Sequence, residues 1–501
     1  MKSARVIKKI RAKIGDSKLL QSDFGETLKH TWTYLSGSVA LKSLSIIGIP
    51  IMTRLLTEED YGILNIFFTY TVLAATIFTL NTHVGTGRYY FENDQDFKSF
   101  FGTSLVVSLS MLIATFLATV VYAEPIARFL DLPVICIYFI VPFAFSNVLK
   151  SFHMQIFRAK RKSKKVRSLS LISGYLGFVL GVLLVYLHPV EERFMGQLWA
   201  GLIMMVVSGS IVFYRLAKYI KFDFKWGHLR YMFSFGVPLM PAYLSGFILA
   251  QFDTVMIGSY LGKAEAGQYS FAYNISMLMV MVVNALFYSW TPKYFEYMKA
   301  ENYEQHDKDT LKLLSIISFS ACGLILFSDW IGYILGSVSF HKSLYLIPLI
   351  IFGQYLMGIN PIYKRHISFS KKTIYTSVIV LLAGALNIWL NSIYIPKIGA
   401  AAGAYTTVAS YMAMLVLTYL AVKYCIKLHV TPVLGIVARV LVVVAVCGFY
   451  YVDFYFLELS VFLQIVLKFG LLLVSGLLLL WKMFPFQSGK TPFAKNLFKK
   501  N

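Results

Sequence analysis

The stretch LTEEDYGILNIFFTYTVLAATIFTLNT, residues 56–82, decides the fold class. It opens on an acidic turn, Thr57-Glu58-Glu59-Asp60, and then runs from Tyr61 to Thr82 without a charge. A helix rises 1.5 Å per residue, so about 20 apolar residues cross a hydrocarbon layer roughly 30 Å thick. Comparable runs recur between clumps of charge. They predict transmembrane helices near 32–53, 61–82, 99–122, 132–149, 169–187, 194–214, 231–258, 265–290, 311–328, 343–363, 374–394, 400–421, 433–452 and 459–481. The expected fold class is an all-α polytopic membrane protein with about 14 transmembrane helices. Composition agrees: 57% of residues are hydrophobic and 14% charged, where a soluble chain carries about 25% charged residues. A soluble multidomain protein is excluded.

The chain holds 47 Lys and Arg against 24 Asp and Glu, a net charge of +23. Their placement argues against a nucleic-acid partner, because there is no basic soluble domain, zinc-finger spacing or aromatic-basic strand platform. Of the 47, 38 fall in tails and loops on the side of the N-terminus, six on the opposite side, and three (Lys42, Arg439, Lys468) inside predicted spans. By the positive-inside rule the basic side is cytoplasmic, with both termini there. Each loop on the opposite side is under about fifteen residues, which leaves no room for an external catalytic domain. Cys136, Cys322, Cys425 and Cys447 show no paired spacing, so no disulfide framework or metal site is indicated. In the first 30 residues, Val6, Ile7, Ile10 and Ile14 among basic residues read either as a short amphipathic surface helix or as a plain basic tail.

An internal repeat appears at an offset of about 205 residues. Leu56-Thr57-Glu58-Glu59-Asp60-Tyr61-Gly62 aligns with Leu261-Gly262-Lys263-Ala264-Glu265-Ala266-Gly267, each a short outward turn. Gly87-Arg88-Tyr89-Tyr90-Phe91-Glu92 resembles Pro292-Lys293-Tyr294-Phe295-Glu296 after a one-residue slip. Six spans precede the offset, six follow and two remain. The expected organisation is an N-lobe at 1–217, a C-lobe at 218–427, and two extra helices with a basic tail at 428–501. An even number of intervening spans gives both six-helix lobes one orientation, related by pseudo-two-fold symmetry with a site between them.

At these residues the chain resembles a known family. Thr53-Arg54-Leu55-Leu56-Thr57-Glu58-Glu59-Asp60-Tyr61-Gly62, and Asp253-Thr254-Val255-Met256-Ile257-Gly258 followed by Ala266-Gly267-Gln268-Tyr269, resemble the polysaccharide-biosynthesis (O-antigen-type) oligosaccharide flippases. These belong to the multidrug/oligosaccharidyl-lipid/polysaccharide exporter superfamily. The resemblance implies a bilobed V-shaped bundle in the bacterial cytoplasmic membrane. That bundle turns a lipid-linked glycan, usually on undecaprenyl pyrophosphate, to the outer leaflet by alternating access. It also implies polysaccharide-assembly membrane proteins as partners.

A charge in the bilayer centre costs at least about 2.5–3.5 kcal/mol and usually faces a cavity or a partner. Lys42 lies near mid-depth of the first span. Tyr34, Ser38, Lys42 and Ser45 share one face, a polar stripe suited to a wet cavity that receives a phosphate. The alternative is a Lys bonded to neighbouring carbonyls. Arg88 and Lys293 hold equivalent places in the two repeats, either to receive an anionic headgroup or as ordinary topogenic anchors. Asp253 is the one acidic residue well inside a predicted span; it either couples transport to H+ or Na+ or is a paired structural carboxylate. Arg439 is expected to snorkel or to contact the carrier phosphate. Lys468 sits deeper and is a candidate contact for the carrier phosphate. Asn387 and Asn391 read as sugar ligands or, more commonly, as interhelical glue. No P-loop, nucleophile elbow or metal-ligand spacing is present, so no cofactor is expected beyond a coupling ion.

The leading expectation is a flippase for a lipid-linked oligosaccharide. The rivals are a multidrug exporter or a lipid II-type exporter of the same architecture, and, from another class, a polytopic glycan polymerase or acyltransferase. Organic-cation export favours buried carboxylates, and the first six predicted spans hold none, whereas the first holds Lys42.

Overall fold

The computed structural model describes residues 40–93, 95–456 and 460–480. The chain is helical throughout, with no strand among the described residues. Thirteen helical segments there are long and apolar enough to cross a membrane. The first predicted span adds to these: it is described from residue 40 onward as helix α1, 40–55. Tyr34, Ser38 and the proposed amphipathic segment lie outside the described residues.

The remaining helices, in order, are α2 (Glu58–Phe78), α3 (Thr86–Glu92), α4 (Phe97–Val121), α5 (Ala123–Leu130), α6 (Val134–Ala159), α7 (Ser163–Leu187) and α8 (Arg193–Leu216). There follow α9 (Trp226–Leu261), α10 (Lys263–Lys299), α11 (Tyr303–Leu326), α12 (Ser328–Leu335), α13 (Ile347–Ile359) and α14 (Pro361–Phe369). The last described helices are α15 (Ile374–Ile398), α16 (Ala401–Leu420), α17 (Val433–Phe456) and α18 (Val461–Leu480).

Local sequence explains where the helices start and stop. The acidic turn that precedes α2 is a capping box. Thr57 Oγ1 accepts from the Asp60 amide at 3.1 Å, and the Thr57 amide donates to the Asp60 carboxylate at 3.4 Å. Between α9 and α10 the chain turns at Gly262, whose φ of +96° suits a residue without a Cβ. Several helices overrun the predicted spans. α6 continues to Ala159 rather than ending near 149, so Lys150 and His153 are helical residues and not part of a basic loop. α17 continues to Phe456, which takes Asp453 into a span; Asp253 is therefore not the only buried acid inside one. The segment 83–98, expected as a connection, contains α3.

The chain forms two compact units. The first comprises the described residues up to Phe271 with Leu335–Phe340 and Ile388–Gly403. Within it the two repeat motifs meet. A Cβ on Gly62 would lie 1.9 Å from the Lys263 carbonyl oxygen, and one on Gly267 would lie 1.9 Å from the Glu58 carbonyl oxygen. Each glycine thus sits under the carbonyl four residues before the other, so α2 and α10 cross at a separation only hydrogen side chains allow. Phe340 closes over this crossing against Tyr61 and Phe271.

The second unit comprises Ala272–Ile334, His341–Asn387 and the described residues from Ala404. Here α11 is flanked by the two C-terminal helices. Leu311 meets Gly435 and Arg439 Nε donates to Ser315 Oγ at 2.9 Å on the α17 side, while Phe319 meets Gly476 of α18. The spacing of four in Leu311, Ser315 and Phe319 places all three contacts along one side of α11.

Candidate functional site

Lys42 is half-buried on α1 and makes no hydrogen bond or ion pair among the described residues. It stands thirteen residues before the end of α1 at residue 55, about 20 Å along the helix axis. α1 packs on α7: Leu41 fills the space where Gly174 lacks a Cβ, and Phe178 reaches Gly48. Ser45 is exposed and its hydroxyl bonds back to the Leu41 carbonyl at 3.2 Å. The helix thus presents a deep cation without a carboxylate partner beside it.

At the basic end of the first unit, Arg88 is not a free cation. Its Nε bonds to Glu92 at 2.5 Å, its guanidinium lies 5.2 Å from the Phe235 ring, and Tyr231 Oη donates to the other Glu92 oxygen at 2.7 Å. Arg88 and Tyr231 hold the Glu92 carboxyl below the usual carboxylate range. Next to it, Asp96 accepts from Lys225 Nζ at 2.9 Å and pairs with His228 Nε2 at 2.6 Å, and Lys225 with His228 keeps its carboxyl low. The His228 ring is completed by Thr103 Oγ1 at 3.3 Å from Nδ1.

The second unit repeats this device. Asp307, near the start of α11 as Asp96 is at the start of α4, pairs with His429 Nε2 at 2.8 Å and His306 Nδ1 at 3.1 Å. His429 precedes α17 as His228 opens α9. Lys293, the repeat partner of Arg88, is exposed and without an ion pair among the described residues. Arg365 is the deeper cation there, just beyond the predicted span 343–363. It bonds to Thr291 Oγ1 at 2.8 Å through Nη2, to the Pro361 carbonyl at 3.1 Å, and stacks 4.3 Å from Phe287. The signal for it was Pro361, which starts a helix at its first position and so carries the chain on through Arg365.

The other candidates have structural partners. Asp253 is 2% exposed and accepts from Tyr269 Oη at 3.0 Å and Asn391 Nδ2 at 2.6 Å. Asn391 thus bridges helices α9 and α15. Asn387 likewise donates to Thr407 at 3.3 Å. Arg439 bonds to Ser315 and to the Gly435 carbonyl at 2.6 Å. Lys468 is 1% exposed, 2.6 Å from Asp329 and 3.9 Å from Asp453, with Trp330 and Tyr450 against its ammonium. No group of three or more metal-ligating side chains occurs among the described residues.

A family model described as polysaccharide biosynthesis protein matches residues 28–298. A protein of the Lsg locus of Haemophilus influenzae is 23% identical over 394 residues, covering 75% of this chain and 94% of that protein. The succinoglycan biosynthesis transport protein ExoT of Rhizobium meliloti is 27% identical over 259 residues, half of each chain. Among solved structures, the lipid II flippase MurJ in an inward closed conformation aligns with a TM-score of 0.68 at 15% identity, over 90% of this chain and 99% of that one. An inward-facing multidrug resistance MATE transporter aligns at 0.60 and 15%, over 77% and 94%. At such identities the structural likeness establishes the two-lobed fold.

Proposed function

We propose, for a chain that belongs to the polysaccharide biosynthesis protein family, that it is a flippase carrying a lipid-linked oligosaccharide from the cytoplasmic to the outer leaflet by alternating access. It is a multi-pass membrane protein of the flippase-like transporter type; the glycolipid cargo and the direction are our reading. The observation that carries this reading is Lys42: a half-buried cation deep in α1 with no carboxylate beside it, as an anionic cargo requires. A pyrophosphate-linked carrier supplies the missing negative charge, and its lipid tail has no need to leave the bilayer. The names of the relatives support a transporter over a glycan polymerase or acyltransferase, since ExoT is a transport protein and MurJ a flippase.

In this reading the side that carries 38 of the Lys and Arg residues faces the cytoplasm of a bacterial inner membrane. Exposed Lys293 serves the inward mouth, while Arg88, tied to Glu92, positions α3 against α9. Asp253, between Tyr269 and Asn391, is assigned the coupling to H+ or Na+. Membrane proteins of polysaccharide assembly are its expected partners.

The test is complementation of a null strain, read as surface polysaccharide. Lys42→Ala is expected to lower it by about tenfold or more, the loss of one charge-assisted phosphate contact, while Lys42→Arg largely preserves it. Equal, full complementation by both variants at normal expression removes Lys42 from the site. Purified protein that made a new covalent product from a lipid-linked sugar would restore the enzyme reading.

A further inference from the structure

A cavity of about 210 Å³ lies between α6 and α7 in the first unit. Asn147, Lys150, Ser151, Met154, Ser170 and Ser173 line it, and its wall contains no carboxylate. Lys150 is half-buried and makes no hydrogen bond or ion pair among the described residues. The Ser173 hydroxyl is buried without a partner. His153, which also lines the cavity, faces the Arg215 guanidinium at 3.4 Å, which adds positive potential to the same wall.

The depth of this cavity sets its chemistry. Lys150 stands nine residues before the end of α6 and Ser173 ten past the start of α7, about 15 Å from the basic end of each helix. Leu41 packs on Gly174, next to Ser173, so the cavity lies level with Lys42. A cation at that depth calls for a counter-charge. No described residue lining the cavity provides one, while an amide and three hydroxyls stand ready around it. A neutral sugar would use the hydroxyls and leave the charge; a multi-oxygen anion uses both. The volume is below the roughly 300 Å³ of sites for drug-sized ligands, so it takes a headgroup fragment and not a glycan.

We propose that this cavity is a phosphate-binding subsite, in which Lys150 neutralises a lipid-borne phosphate ester and Ser151, Ser170 and Ser173 hydrogen-bond its oxygens. The flippase reading bears only on which lipid carries the phosphate, the polyprenyl carrier or a bulk phospholipid.

The test is native mass spectrometry of the full-length protein titrated separately with undecaprenyl phosphate, phosphatidylglycerol and uncharged undecaprenol. Wild type is expected to retain undecaprenyl phosphate and release undecaprenol. Lys150→Gln is expected to weaken retention by about tenfold or more, and Lys150→Arg to keep it. Equal Lys150-dependent retention of phosphatidylglycerol assigns the subsite to bulk phospholipid; preference for undecaprenyl phosphate assigns it to the carrier. Should Lys150→Gln fail to fold, Ser173→Ala, which keeps the charge, is expected to weaken retention by about threefold. Retention by Lys150→Gln equal to wild type, or by Ser173→Ala where that variant stands in, overturns the proposal. Binding here requires no transport, so a negative result leaves the flippase reading intact, and a failed transport assay leaves the subsite intact.

Discussion

Replacing Gly62 or Gly267 by Leu is expected to abolish transport while leaving an inserted, full-length protein. A Cβ at either position falls 1.9 Å from a carbonyl oxygen of the opposing helix, well inside contact distance, and the obstacle is backbone that cannot rotate away. The helices must separate, and overpacking of this kind costs about 1–3 kcal/mol. In a protein that alternates between states, that cost lowers the population of the state containing this crossing by about ten- to a hundredfold. Polysaccharide output in a null strain should fall accordingly for each single variant, with membrane abundance near wild type. Because the two clashes act on one crossing, the double variant should be little worse than either single. Full complementation by Gly267→Leu would show that the crossing plays no part in the cycle.

The second large effect concerns Lys468. Its ammonium is sandwiched between Asp329 and Asp453, and the remaining oxygen of each carboxylate is buried and unpartnered. Removing the cation leaves two buried carboxylates facing each other without compensation. Breaking a buried pair from one side costs about 3–5 kcal/mol. Lys468→Met should therefore lower the melting temperature of the purified protein markedly, and Lys468→Met with Asp329→Asn should recover part of the loss. The contrasting outcome is informative. If Lys468→Met melts like wild type and yet fails to complement, the ammonium serves a phosphate, as its depth in the sequence first suggested.

The two cases show what the sequence carries and where it stops. The spans were legible because hydrocarbon thickness dictates the length of each apolar run. The glycine crossing was legible as a repeat, since Gly62 and Gly267 stand at equal places in two similar motifs, although nothing local says that they touch. Lys150 is not legible as a buried residue: a basic residue close to a cluster of basic residues looks like loop, and only the continuation of α6 to Ala159 buries it. The Lys468 cluster was half legible, because one deep cation stood out while Asp329 and Asp453 lay in stretches read as connections. Arg365 escaped for the same reason as Lys150. The His228–Asp96 and His429–Asp307 pairs join residues more than 120 positions apart, and no periodicity encodes a contact of that range.

The direct measurement is the leaflet distribution of lipid-linked glycan in cells depleted of this protein. The glycolipid should build up on the cytoplasmic leaflet and return to the outer one when wild type or Lys42→Arg is restored, but not with Lys42→Ala. An unchanged distribution after depletion, with surface polysaccharide still made, would contradict the assignment of this chain as the glycolipid flippase.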